Sequence, residues 1–157
     1  MTVVGLTGHQ EIPPDAASFI AAGIDRVLRS NREELVGVCS LAAGSDQLFA
    51  QAVLDAGGRL RVVVPCEHYD TTFHGPDLDR YRQLLGSADT VETLDHAEPT
   101  EEAFLEAGHR VADLCEVLIA VWDGRPARGL GGTADVVAYA RAAGVETVIV
   151  WPPGVPR

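Results

Sequence analysis

The chain has 157 residues, 46% hydrophobic and 22% charged, with a formal net charge of −11. That length and balance suit a single globular domain over residues 1–157, able to bury roughly 70% of its unfolded surface. They exclude a membrane-spanning helix, which needs roughly 20 apolar residues, and the acidic balance argues against a nucleic-acid partner, which needs a basic face.

The apolar run TVVGL over residues 2–6 reads as a first strand. Residues 14–30 place Phe19, Ile20, Ile24, Val27 and Leu28 at helical spacing, and Asp15 follows two prolines, which suit a helix start. LVGVCSL (35–41) is a second strand, and residues 45–56 form a second helix closed by Gly57 and Gly58. LRVVVP (60–65) is a third strand. A polar loop over 66–75, a short helix over 77–85 and a short strand over 90–94 come next. Residues 100–114 form a helix opened by Thr100 and Glu101, and VLIAVW (117–122) is a strongly apolar strand. A helix over 132–143 and a last strand over 147–151, stopped by Pro152 and Pro153, complete the chain.

Several strands are continuous apolar runs, the mark of strands covered on both faces. Strand and helix alternate about five times. The expected fold is therefore α/β: a Rossmann-like, doubly wound, mainly parallel sheet of about six strands with helices on both faces. In such folds the ligand sits beyond the carboxyl ends of the strands, near the point where strand order reverses. The segments expected on that edge are the more unusual ones: Gly8 and His9, Gly44-Ser45-Asp46, and the run RGLGGTAD from Arg128 to Asp135.

Two of these loops run straight into helices. Either the glycines only make tight turns, with Ser, Thr and Asp as ordinary caps, or they keep a helix N-terminus bare for an anion. Under the second reading, phosphate rests on amides around Gly131, Gly132 and Thr133, and also around Gly44 and Ser45. Asp46 or Asp135 then takes ribose hydroxyls, His9 lines the pocket, and Arg128 offsets the anion's charge. Asp135 is also the candidate general acid or base.

Other signals are weak. Cys39, Cys66 and Cys115 are three in number and widely spaced, which suits neither a disulfide framework nor a zinc motif. His68, Asp70, His74 and Asp77 share a loop but match no closed metal motif, and Cys66 beside His68 lacks an orienting third residue. Neither a metal nor a cofactor is expected. The start MTVVGLTGHQ has no basic run before its apolar residues, so no membrane association is expected and the cytoplasm is the expected location.

Four segments, VVGLTGHQ, SLAAGSDQLFAQAVLDAG, VVVP and VLIAVWDGRPARGLGGTADVVAYA, make the chain resemble the SLOG superfamily. This Rossmann-like group includes the LOG (lysine decarboxylase-like) and DprA/Smf proteins. The resemblance implies binding of a nucleotide or nucleotide-derived small molecule, and self-association, for which a homodimer is one form. Val136–Ala140 would then be buried in the monomer or across a dimer. It also implies two alternatives: a LOG-like N-glycosidic hydrolase acting on nucleoside monophosphates, or a non-catalytic sensing module. The chain departs from the LOG pattern P-G-G-x-G-T-x-x-E. The position three after Thr133 is Val136, and the nearest carboxylate, Asp135, comes one residue early. The chain is also shorter than expected for a DprA protein with its additional parts.

Overall fold

In the computed structural model, which describes residues 1–126 and 132–156, six parallel strands form one sheet in the order β4-β3-β2-β1-β5-β6. They are β1 (Thr2–Gly8), β2 (Leu35–Cys39), β3 (Arg59–Val64), β4 (Thr90–Thr93), β5 (Val117–Val121) and β6 (Glu146–Ile149). The helices are α1 (Ala17–Ser30), α2 (Ser45–Asp55), α3 (Gly75–Gly86), α4 (Glu101–Leu114) and α5 (Thr133–Ala142). The expected α/β, doubly wound, parallel architecture is the one observed.

Side-chain alternation on the central strands builds two cores. Val4 and Leu6 of β1 face a layer built by α1, α2 and α3, where Ile20, Ile24, Phe49 and Leu84 pack. Val3, Val36, Val38 and Leu118 face the opposite layer, closed by Val111 of α4 and by Val136 and Ala140 of α5. Val136, Val137 and Ala140 are all buried within the monomer. Gly108 lets α4 and α5 cross closely, since a Cβ there would lie 2.5 Å from Val136 Cγ2.

Local differences from the sequence expectation have simple causes. Helix α1 begins at Ala17, after the turn that follows Pro13 and Pro14. The segment expected to be a polar loop over 66–75 holds a 3-10 turn, Tyr69–Thr72, tightened by Thr71 and Thr72 hydroxyls donating to the carbonyls of His68 and Tyr69 at 2.6 and 2.8 Å. That turn buries Tyr69 and Phe73 against Tyr81 of α3, with Phe73 and Tyr81 stacked at 4.4 Å. At α4 the expected cap is present: Thr100 Oγ1 accepts from the Ala103 amide at 3.1 Å.

The chain adds β2, β3 and β4 on one side of β1, then crosses through α4 to place β5 and β6 on the other. Strand order therefore reverses at β1, and Gly8 stands beside Val121 at the carboxyl end of that reversal. No helix among the described residues is long and apolar enough to cross a membrane.

Candidate functional site

The first two loops are sewn together at the reversal point. The His9 carbonyl accepts from both the amide and the hydroxyl of Ser45, at 3.3 and 3.1 Å. This contact leaves no room for side chains. A Cβ on Gly8 would run into Ser45 Oγ and lie 2.8 Å from Val121 Cβ. A Cβ on Gly44 would run into the Gln10 carbonyl, and Gly44 has φ +83°, a region that favours glycine. Gly8 thus makes room for the side chains of Ser45 and Val121, and Gly44 for the backbone of Gln10 and His9, in loops far apart in sequence.

The His9 side chain is 7% exposed and turned toward β5 and β6. Its Nε2 accepts the Asp123 amide at 3.2 Å and lies 3.4 Å from Asp123 Oδ1. The ring meets Trp151 edge-on at 5.3 Å. Asp123 Oδ1 also accepts the Arg125 amide at 3.0 Å. His9 therefore ties β1 to the loops after β5 and β6.

Asp46, in the first turn of α2, folds back on its own loop. Its Oδ2 accepts the amides of Ser40 and Ala42 at 3.1 and 3.4 Å. Between them Leu41, fully buried, adopts φ +59°, an uncommon conformation for a residue with a side chain. The Leu41 carbonyl is held by Gln47 Nε2 at 3.2 Å. Burial pushes the Asp46 carboxyl up to about 7, against the opposing pull of the two amides. Burial, and then the nearby Asp46 carboxyl, push the Tyr69 phenol well above its ordinary value.

The start of α5 is built differently. Gly132 is its N-cap, in extended backbone with no side-chain cap bond. Asp135 and Val136 amides both reach back to the Gly132 carbonyl, at 3.1 and 3.3 Å. The amides before them belong to the open end of the helix. Thr133 is buried and Asp135 half-buried. Arg128 and Gly131, expected to complete this site, lie outside the described residues.

A cleft lies beyond the ends of β1, β2 and β3. Its inner part, about 100 Å³, is bordered by Gly8, Gln10, Ser40, Asp46, Tyr69 and Val136. An outer part of about 360 Å³ shares Gln10, Ala42, Tyr69 and Phe104 with it. The structure thus brings Gly8, Asp46 and the first turn of α5 to one place. The walls Tyr69 and Phe104 were not anticipated: Tyr69 sits in CEHYD, which reads as a polar loop, and Phe104 fits an ordinary helix core position. Among the described residues, no group of three or more His, Cys, Asp or Glu stands close enough to hold a metal ion.

Neither a family model nor a curated protein matches the chain. Solved structures do. DNA processing protein A (DprA) from Streptococcus pneumoniae superposes with a TM-score of 0.70 at 21% identity, over 94% of this chain and 50% of that one. DprA from Helicobacter pylori, described for its unique single-stranded DNA binding mode, gives 0.68 at 18% identity, over 94% of this chain and 64% of that one. TM1055 gives 0.59 at 16% identity, over 94% of this chain and 72% of that one. This chain spans about half the length of the S. pneumoniae protein.

These neighbours correct one expectation. The net charge of −11 argues against a nucleic-acid partner, yet a DprA of the same fold is described as binding single-stranded DNA. Net charge sums over every face of the molecule, whereas binding at a sheet edge depends on the few donors aimed there. The strand order and these three neighbours together identify the fold of this chain as the Rossmann-like α/β fold it shares with the DprA proteins and TM1055.

Proposed function

We propose that the chain binds a nucleotide or nucleotide-derived small molecule at the carboxyl edge of its sheet. One observation carries this reading: the cleft beyond β1, β2 and β3 reaches the first turn of α5 at Val136, at the point where strand order reverses. Such points are where doubly wound folds hold their ligands. An uncapped helix start offers amides and a partial positive charge to an anion. In this reading the anionic end rests on Gly132 and Thr133, and Asp135 beside it takes a ribose hydroxyl; Arg128 and Gly131 are the further candidates that the sequence offers for the anion. The Gly44–Ser45 start fits an anion less well, because the Ser45 amide and hydroxyl are already given to His9.

Thermal unfolding against nucleoside mono-, di- and triphosphates, nucleotide sugars, NAD and a short single-stranded DNA tests the reading. A ligand at a hundred times its dissociation constant stabilises by about 2.7 kcal/mol, which raises the midpoint by roughly 5–10 °C for a domain of this size. A selective rise with a small nucleotide supports the proposal. A rise with the DNA alone replaces the small molecule by a strand, and a flat panel overturns the reading.

A further inference from the structure

The cleft carries charge of one sign. Asp46 borders the inner niche, and Glu11 and Asp77 border the outer chamber together with His74. No arginine lines either part among the described residues. A phosphate finds no counter-charge there, but a hydrogen-bond donor does.

Asp46 is 6% exposed, and both of its backbone partners bind Oδ2. Oδ1 is therefore the carboxylate oxygen left for the niche. Burial holds this carboxyl at about 7, so an incoming N–H donor at neutral pH selects its ionised form. Tyr69 and Phe104, with ring centroids 6.2 Å apart, are walls of both parts of the cleft and supply flat apolar faces. The niche of about 100 Å³ has room for about three water molecules, enough for the edge of one ring. Val136, within the first turn of α5, is a wall of the same niche, so the helix start is about one turn, 5.4 Å, away.

We infer that this niche is the subsite for the ligand's planar nitrogen heterocycle, which donates an N–H to Asp46 Oδ1 and packs against Tyr69 and Phe104. The inference rests on the nucleotide reading and divides its site in two: the anion at α5, the base at Asp46. A carboxylate selects bases that present an N–H on the facing edge, whereas aromatic packing holds the face of any base.

Amide-resolved NMR of the whole chain at pH 8 tests it, using adenosine, cytidine, guanosine and uridine as phosphate-free probes. Inorganic phosphate and the four 5′-monophosphates are titrated separately. At least one nucleoside is expected to shift the Ser40 and Ala42 amides, which bond to Asp46. Asp46→Asn keeps an oxygen for those amides but turns an NH2 toward the niche, and is expected to weaken the nucleoside about tenfold or more. Ala43→Trp fills the outer chamber with Asp46 intact and is expected to have the same effect. Phosphate responses at the Thr133 and Ala134 amides are expected to persist in both variants.

The outcomes separate the two claims. Monophosphates that move Thr133 and Ala134, with no nucleoside moving Ser40 or Ala42, overturn the base subsite and leave the nucleotide reading standing. Nucleosides that bind at Ser40 and Ala42 no more weakly than their monophosphates support the subsite and overturn the anion site. Equal nucleoside affinity in wild type and Asp46→Asn overturns the role of Asp46. Silence toward every probe overturns both claims.

Discussion

The starts of α2 and α5 look alike in sequence, Gly-Ser-Asp against Gly-Thr-Ala-Asp, and are different objects in space. At α2 the glycine exists because the Gln10 carbonyl lies where its Cβ would be. The serine is spent on His9, and the aspartate holds the amides of Ser40 and Ala42. At α5 the glycine is in backbone open to any residue, and among the described residues no side-chain cap bond is made at the N-cap. A glycine-led helix start is thus a close joint between loops at α2 and a plain extended N-cap at α5.

The comparison is broken most easily at the two aspartates. Asp46 has an ordinary value of 3.8 when unfolded and about 7 when folded. Between these values the folded chain keeps a proton that the unfolded chain has released. Stability therefore falls as pH rises from about 4 to about 7 and is level above, a loss on the order of 4 kcal/mol from this group. Cys39 and Tyr69, which face Asp46, are both pushed up by burial and stay neutral across that range. Urea unfolding at a series of pH values is expected to show this decline in wild type and a flatter profile in Asp46→Asn. Equal profiles would show that the carboxylate is not held as described. Asp135→Asn, at the open start, is expected to cost only about 0.3–1 kcal/mol, and less in high salt.

Next come the glycines. Gly44→Ala meets both a positive φ and the Gln10 carbonyl, and is expected to cost about 2–3 kcal/mol. Gly132→Ala, at a φ of −69°, loses only the N-cap preference for glycine over alanine and is expected to cost about 0.5–1 kcal/mol. Chemical unfolding of the two variants side by side measures the gap, and equal losses would contradict the distinction between the two starts. Ser45→Ala is a comparably small change. It removes the hydroxyl bond to His9 but leaves the amide bond in place, for about 1 kcal/mol. A loss several times larger would mean that Ser45 holds more than this one carbonyl.

The element order was legible because its causes are local. LVGVC and VLIAV are short apolar runs bounded by turn residues, and α4 opens on a threonine that caps it. The expectation erred where distant packing rules. The segment after β3 carries polar residues, yet buries Tyr69 and Phe73 because α3 and its Tyr81 come back over it. The same distance effect hid half of the candidate site. Gly8, Asp46 and the α5 start were visible as loop residues, whereas Tyr69 and Phe104 had no signal of their own.

The sequence by itself determined the alternation of strands and helices, and with it the carboxyl edge where loops gather, because hydrophobic period and turn chemistry act over a few residues. Only the tertiary structure decided which glycine is a joint and which helix start stays open. That decision depends on the Ser45 hydroxyl meeting the His9 carbonyl, and on the Gln10 carbonyl facing Gly44, across the β1–α1–β2 crossover, and no local pattern encodes such a meeting.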